Sequence, residues 1–593
     1  MRLAYKWQAA LVLALGAFMA ILDTTIVSVA LPQMQAYFHT DRDTITWVAT
    51  GYLLSSAAII PVTGYLSDRI GSKTVLLTSL ALFTIGSGMC AVAPNEQFLI
   101  AFRVFQGIGG GALLPLTFAI VFRVFPPAER GGASAVIGVP VLLAPTFGPT
   151  LGGYLTTTYD WHAIFTINLP IGVVTFLLAA VILRGRAQAT EDAASGEIPL
   201  DTGRFDVLGL ILSMAGFTAL VYGIARAGST SWTDRYVLVA LIGGGVLLAL
   251  FTVVELLASD PVMDVRLFRN YTFTSTNVLV WAISGFLFGS VYLLPIFFQT
   301  VQGHSALESG EYVIIQGLGA ALATGFAGRL YNVVGPKILV IVGFALVTLG
   351  TWQLTQLTPT MPWQSLQEWL FVRGLGLGFT NIPLQTLALS VVSNRAMARA
   401  SSLVNVTRQS FGAVGLAVLT TIFTQRFTSY SNAYAGQVAT ATRAYVTQQT
   451  QAATATAVQA YTAGSPADPA TPLGALTAQC ARPYGASAPQ HMAQIQACVQ
   501  TNVQQYAQTF AQNYGAQHGA QLAKSFATQY FTQHVMPTTA THALNDAFFI
   551  SLVGCAIGIA LAFFLGRDPS LRAAREARVR GEQAAARPLV MGE

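Results

Sequence analysis

Charge is scarce in this chain. Of its 593 residues only 9% are Asp, Glu, Lys or Arg, whereas 53% are hydrophobic; soluble domains carry roughly 25% charged residues. So little charge cannot cover a large soluble surface, and the composition places the chain in a membrane. Only four cysteines and seven histidines are present, and none stand at metal-ligand spacing. No phosphate-binding or dinucleotide loop is found, since the glycines of "GIGGG" at 107–111 lie inside an apolar run and form a helix stripe. The sequence therefore offers no enzyme signal, no cofactor and no metal site. The excess of 31 basic over 25 acidic residues carries topology rather than nucleic-acid binding, as their placement shows.

What is abundant is long apolar runs. A helix needs roughly 20 such residues to cross a bilayer, and fourteen runs qualify: 7–31, 45–66, 74–94, 97–122, 132–155, 164–183, 206–225, 236–258, 273–301, 309–331, 337–357, 364–391, 401–427 and 545–566. The first has no small-residue cleavage site and reads as a retained helix. With this threading, 21 of the 31 basic residues fall on one face and three in the short loops opposite. The positive-inside rule then predicts that both termini are cytoplasmic.

An internal repeat divides the chain. Residues 64–73, "GYLSDRIGSK", and 328–337, "GRLYNVVGPK", share G-x-L-x-[DN]-x-x-G-x-K with an offset of 264. "RVFQGIGGGALLP" in the fourth span is echoed by "RGLGLGFTNIP" in the twelfth, each an arginine leading a glycine stripe. Repeats of this kind are the usual build of secondary transporters, with the site at their interface. The predicted fold is an all-α membrane protein of two six-helix bundles plus two inserted helices. Its parts are an N-terminal bundle (1–186), a linker with spans seven and eight (187–260), spans nine to thirteen (261–427), an external helical hairpin (428–544), span fourteen (545–566) and a basic tail (567–593).

Four ordered motifs, "LDTTIVSVALP", "GYLSDRIGSK", "RVFQGIGGG" and "GVPVLLAPTFGPTLGG", with "WHAIFTINLPIG" as a fifth match, resemble the fourteen-span drug:proton antiporters of the major facilitator superfamily, the EmrB/QacA type. The resemblance implies a proton-coupled exporter of amphipathic, preferentially cationic drugs that works by alternating access in a bacterial inner membrane. Its partners would be the drug, protons and the lipid bilayer, with the proton gradient as the energy source and no nucleic acid. It leaves open an exporter of one endogenous metabolite, lipid or siderophore, one served by a periplasmic adaptor, and a non-transporting scaffold or sensor.

The residues supply the chemistry. Asp23 lies deep in the first span, where a carboxylate costs roughly 2.5 to 3.5 kcal/mol and commonly serves an ion or substrate pathway. Arg103, Gln106, Gly107, Gly110 and Gly111 share one face of the fourth span, which makes Arg103 the expected partner of Asp23 in proton coupling; a fixed structural salt bridge is the alternative. Gly64, Asp68, Arg69, Gly71 and Lys73 match the family's gating loop, although Ser72 stands where the family carries a basic residue, and Lys73 also suits a simple membrane anchor. Gly138, Pro140, Pro145, Gly148, Pro149, Gly152 and Gly153 match its antiporter motif, in which proline breaks helix bonds and glycine permits close approach. Candidates for the substrate cavity are Gln106, Glu311, Arg373, Asn405, Arg408 and Gln409. Glu311 also suits a plain helix N-terminal residue, and Arg408 could instead snorkel to headgroups.

Residues 428–544 depart from the family pattern. Helix formers predict two arms, near 431–462 and 490–534, joined by a Pro/Gly-rich turn. Ile495, Val499, Val503, Tyr506, Phe510 and Tyr514 form an apolar stripe along the second arm. In an oxidising external location, Cys480 and Cys498 are expected to form a disulfide.

Overall fold

The computed structural model describes residues 4–184, 206–566 and 568. The linker 187–205 and all of the tail 567–593 but Asp568 lie outside the described residues. The first half comprises α1 (Tyr5–Phe38), α2 (Arg42–Ile70), α3 (Ser72–Ala91), α4 (Glu96–Val124), α5 (Arg130–Thr158) and α6 (Ala163–Ile182). The inserted pair is α7 (Val207–Ser229) and α8 (Arg235–Leu257). The second half comprises α9 (Tyr271–Ile296), α10 (Ala306–Val333), α11 (Pro336–Leu354), α12 (Trp363–Ser390) and α13 (Met397–Tyr461), then α14 (Pro472–Ala481), α15 (Met492–Tyr530) and α16 (Met536–Ala562). Twelve stretches among the described residues are long and apolar enough to cross a membrane. With α9 and α12, of 26 and 28 residues, they account for the fourteen expected spans.

The chain divides into two compact units, residues 1–425 with 541–593, and residues 426–540. In the first, α1 packs against α5, α2 against α4, α10 against both α12 and α5, and α11 against α12. The inserted helices lie beside α2, with Trp47 and Tyr222 stacked at 6.0 Å. Their connecting loop reaches the second half, where Trp232 Nε1 donates to Thr421 Oγ1 at 2.9 Å. Apolar side chains such as Ile211, Val239, Ile242 and Leu257 stay exposed on this pair, a surface suited to lipid. The face at which α1 begins is here called the terminal face.

The repeat is visible in the backbone. Gly71 (φ 89°, ψ 140°) and Gly335 (φ 94°, ψ 156°) hold the same left-side conformation at the two equivalent turns, one that a Cβ would strain. The second echo needs correction by one helical turn. Gly107 and Gly374 abut Tyr52 and Gln316, and Gly111 and Gly378 abut Ser56 and Ala320. The equivalence within α4 and α12 is therefore 267 residues. Arg373 thus takes the place of Gln106 rather than of Arg103.

The second unit is an antiparallel pair of helical arms, the end of α13 and α15. Tyr461 stacks on Tyr506 at 4.1 Å and Tyr445 on Phe526 at 4.2 Å. Small residues alternate with these rings along both arms. The connection is less turn-like than expected, since α14 and a 3₁₀ segment (Arg482–His491) fill it. Cys480 and Cys498 are bonded there, 5.9 Å apart at Cα, beside buried Leu476 and Ile495.

Candidate functional site

Asp23 is fully buried where α1, α4 and α6 meet. Its Oδ2 accepts from Arg103 Nη1 at 2.6 Å. Its Oδ1 accepts from Asn168 Nδ2 at 2.8 Å and from Gln106 Nε2 at 3.1 Å. Arg103 in turn donates to Gln106 Oε1 at 2.7 Å and to the Val48 carbonyl at 3.1 Å, with its Cζ 4.3 Å from the Tyr52 ring centre. Helical spacing puts Arg103 and Gln106 side by side, and the stripe of small residues beyond them brings α2 and α3 within reach. Two charges taken out of water cost several kcal/mol each, which their mutual pairing and these added hydrogen bonds offset. The arrangement also leaves neither carboxylate oxygen without a donor.

The helix that carries Asp23 is held by α5. A Cβ on Gly148 would run into Thr25 Oγ1, and one on Gly152 would come within 3.0 Å of Ile26. Pro140, Pro145 and Pro149 lie inside the same helix, and Gly138 abuts Ile382 and Thr324 of the second half. Gly153 faces Leu307. The proline- and glycine-rich helix therefore touches both halves, two residues from the buried carboxylate.

A second charge cluster lies at the terminal face. Asp68 accepts from Arg123 Nη2 at 2.8 Å and from Arg399 Nε at 2.9 Å. Arg399 Nη1 lies 2.6 Å from Asp260 Oδ1, and Arg69 Nη2 lies 3.2 Å from Asp260 Oδ2. Gly64 lets α2 approach α13 directly, since a Cβ there would meet the Ala398 carbonyl at 2.7 Å. Ser72 does not leave the cluster short of cations, because Arg123 from α4 reaches both Asp68 and the Ser72 hydroxyl, the latter at 2.7 Å. Lys73 is elsewhere, donating to the Ala180 carbonyl of α6 at 2.7 Å.

The remaining candidates fall in the second half. Buried Arg373 donates to Gln316 Oε1 at 2.8 Å and Thr351 Oγ1 at 3.1 Å, and its Nη2 has no partner among the described residues. Gln316 and Thr351 stand at the repeat positions of Tyr52 and Ser87. Asn405 is buried and bonds back to the Ser401 carbonyl at 2.8 Å. Arg408 and Gln409 are partly exposed, and Glu311 is exposed near the start of α10. None of the three has a hydrogen bond among the described residues, and they do not join the Asp23 cluster.

Several site residues carry little signal in the sequence. Asn168 lies within "WHAIFTINLPIG", where a lone amide at the start of an apolar helix is the available signal. Ser87, which accepts from Asn168 at 3.1 Å, Tyr52 and Arg123 gave no separate signal. Asp260 reads in sequence as an ordinary loop acid.

The profile of the Major Facilitator Superfamily matches residues 13–416. A multidrug resistance protein B homolog of Mycobacterium tuberculosis (strain ATCC 25618 / H37Rv) is 37% identical over 418 residues, 70% of this chain and 75% of its own. The multidrug export protein EmrB of Escherichia coli (strain K12) is 32% identical over 416 residues, 70% of this chain and 79% of its own. The lincomycin resistance protein LmrB of Bacillus subtilis (strain 168) is 30% identical over 412 residues, 69% of this chain and 84% of its own. Among solved structures, the human organic anion transporter MFSD10 (TETRAN) superposes with a TM-score of 0.51 at 16% identity, covering 71% of this chain and 94% of that one, a likeness of fold alone. With its fourteen-helix architecture, its repeat and these relatives together, the chain belongs to the major facilitator superfamily, beside the EmrB-type proteins.

Proposed function

We propose that the protein is a proton-driven multidrug exporter, moving amphipathic compounds across a bacterial inner membrane by alternating access of its two halves. Both termini lie in the cytoplasm in this reading, so the Asp68 cluster is the inner gate. The relatives named for multidrug export or antibiotic resistance support the substrate range. The observation that carries proton coupling is the buried Asp23 and Arg103 pair.

Arg103 keeps its charge under all physiological conditions, so the variable member of the pair is Asp23. A proton taken up by the carboxylate forms an O–H bond and removes the negative charge. The guanidinium then holds only the Val48 carbonyl, Gln106 and the Tyr52 face, and the attraction between α1 and α4 weakens. Because Thr25 is wedged against Gly148, a shift of α1 is passed to α5, which also touches the second half. A cationic drug would have to take the place of Arg103 on Asp23, so drug and proton would compete for one carboxylate.

Purified protein in liposomes with an imposed pH gradient tests this. Dye is expected to move against its gradient when protons run down theirs, and Asp23→Asn is expected to stop it while insertion into the membrane is unchanged. Wild-type rates in the Asp23→Asn protein would overturn the assignment.

A further inference from the structure

The second half contains cations that proton coupling does not use. Arg408 lies nine residues beyond Arg399 of the gate, roughly 13 Å along α13 at 1.5 Å per residue, near the middle of a ~30 Å hydrocarbon core. No hydrogen bond or ion pair joins it to any described residue, and its side chain is partly exposed. Its direction follows from Ser401, two turns earlier on the same face, whose hydroxyl donates to the Pro115 carbonyl of α4 at 2.8 Å. Gly415, two turns later on that face, abuts Gly285 of α9, so Arg408 lies on the side of α13 between α4 of the first half and α9. A bare guanidinium turned to lipid at this depth would cost several kcal/mol, so its exposed surface belongs to the space between the halves.

The neighbourhood of Arg408 is aromatic. Phe411, one turn further on, is 41% exposed, and Trp281 of α9 lies flat on it with ring centres 4.5 Å apart and planes 5° from parallel. Trp281 Nε1 is buried without an acceptor among the described residues. Helix α9 contains no Asp or Glu. Buried donors without acceptors cost about 1–3 kcal/mol each, and a ligand that supplies acceptors recovers this.

We propose that Arg408, flanked by Trp281 and Phe411, receives the anionic oxygen group of an aromatic, amphipathic substrate. The guanidinium fork matches a carboxylate or sulfonate in two places at once, and the stacked rings offer a flat apolar surface to the rest of the molecule. This rests on the reading of the protein as an exporter and assigns one of its substrate classes. Asp23, with both oxygens already occupied, is not available as the receptor in this arrangement.

Equilibrium dialysis against protein in nanodiscs, with empty nanodiscs subtracted, tests the site without any gradient, so its outcome is independent of proton coupling. The probes are 8-anilino-1-naphthalenesulfonate, N-phenyl-1-naphthylamine, which keeps the rings and lacks the charge, and tetraphenylphosphonium as a cation. The sulfonate is expected to bind more tightly than the uncharged amine. Arg408→Gln should weaken the sulfonate by about tenfold or more and leave the other two within about twofold, while Arg408→Lys keeps part of the preference. Thermal unfolding of each variant identifies a misfolded one, and Trp281→Phe, which removes the indole donor and keeps a smaller aromatic ring, should weaken the sulfonate more than the uncharged amine. Equal binding of sulfonate and amine by the wild type, an unchanged sulfonate affinity in folded Arg408→Gln, or a parallel loss of all three probes would each overturn the proposal.

Discussion

Arg373 stands in the second half where Gln106 stands in the first, each one residue before a glycine that abuts the neighbouring helix at Gln316 or Tyr52. The scaffold is repeated, but its chemistry is not. In the first half an acid is held by an arginine and two amides, whereas in the second an arginine donates, among the described residues, to Gln316 and Thr351. Charge neutral on one side and positive on the other fits the two proposed tasks, proton exchange near α1 and α4 and recognition of substrate charge near α13.

Removing Arg103 tests the first task. Arg103→Ala leaves a buried carboxylate with only Gln106 and Asn168, and breaking such a pair costs about 3–5 kcal/mol. Gradient-driven efflux is expected to be lost and the unfolding temperature in detergent to fall clearly. Arg103→Lys should recover stability more than transport, because an ammonium cannot hold Asp23, Gln106 and the Val48 carbonyl in the same fork geometry. Normal transport by both variants would show that the pair is not part of coupling.

The close approach of α5 to α1 is open to a one-carbon test. Gly148→Ala places a methyl against Thr25 Oγ1 and Cβ, which forces α1 outward two residues from Asp23. Efflux is expected to drop by about tenfold or more, since displacements of this size disturb catalytic and coupling geometry strongly. Thr25→Ala in the same chain should restore part of it by removing the obstructing hydroxyl. Efflux that survives Gly148→Ala unchanged would mean that α5 gives way without moving α1.

Asp260 ties the inserted helices to the Asp68 cluster, the proposed gate. It follows α8 and holds both Arg399 and Arg69, while buried Glu255 fixes the same loop by accepting from the Val262 and Met263 amides at 3.2 and 3.4 Å. Asp260→Asn is expected to loosen the gate by about 1–2 kcal/mol, read as faster labelling of a cysteine placed at Ser402 from the terminal face. Asp68→Asn should loosen it further, because that carboxylate bridges α4 and α13 directly. Equal labelling in all three proteins would remove Asp260 from the gate.

Much of this was legible in the sequence. The fourteen helices announced themselves by apolar length, and Asp23, Arg103 and Gln106 stood out because charge inside such runs is costly. The partners Asn168, Ser87 and Tyr52 were not legible, since uncharged polar side chains are common in membrane helices and their convergence depends on tertiary packing. The register of the second echo slipped by one turn for a related reason. Arginine was matched to arginine, whereas the conserved physical quantity is the spacing of small residues against neighbouring backbones. Asp260 was invisible because a loop acid acquires its role only through folding beside Arg399.

The bond between Cys480 and Cys498 closes a separation of 18 residues around the tip of the helical hairpin. In the chain-entropy account such a loop contributes roughly 3 kcal/mol, while the packing beneath it is slight, with Leu476 and Ile495 as the buried apolar side chains. The tip is therefore expected to depend on the bond and the arms on their own stacking, as between Tyr445 and Phe526. Hydrogen exchange on the full-length protein, oxidised against Cys480→Ser/Cys498→Ser, should show amides of 472–498 exchanging about a hundredfold faster without the bond. Amides of α4 and α12 should not change. Free, alkylatable thiols at both positions in protein from oxidising conditions would contradict the bond itself, and equal exchange at the tip would show that packing alone holds it.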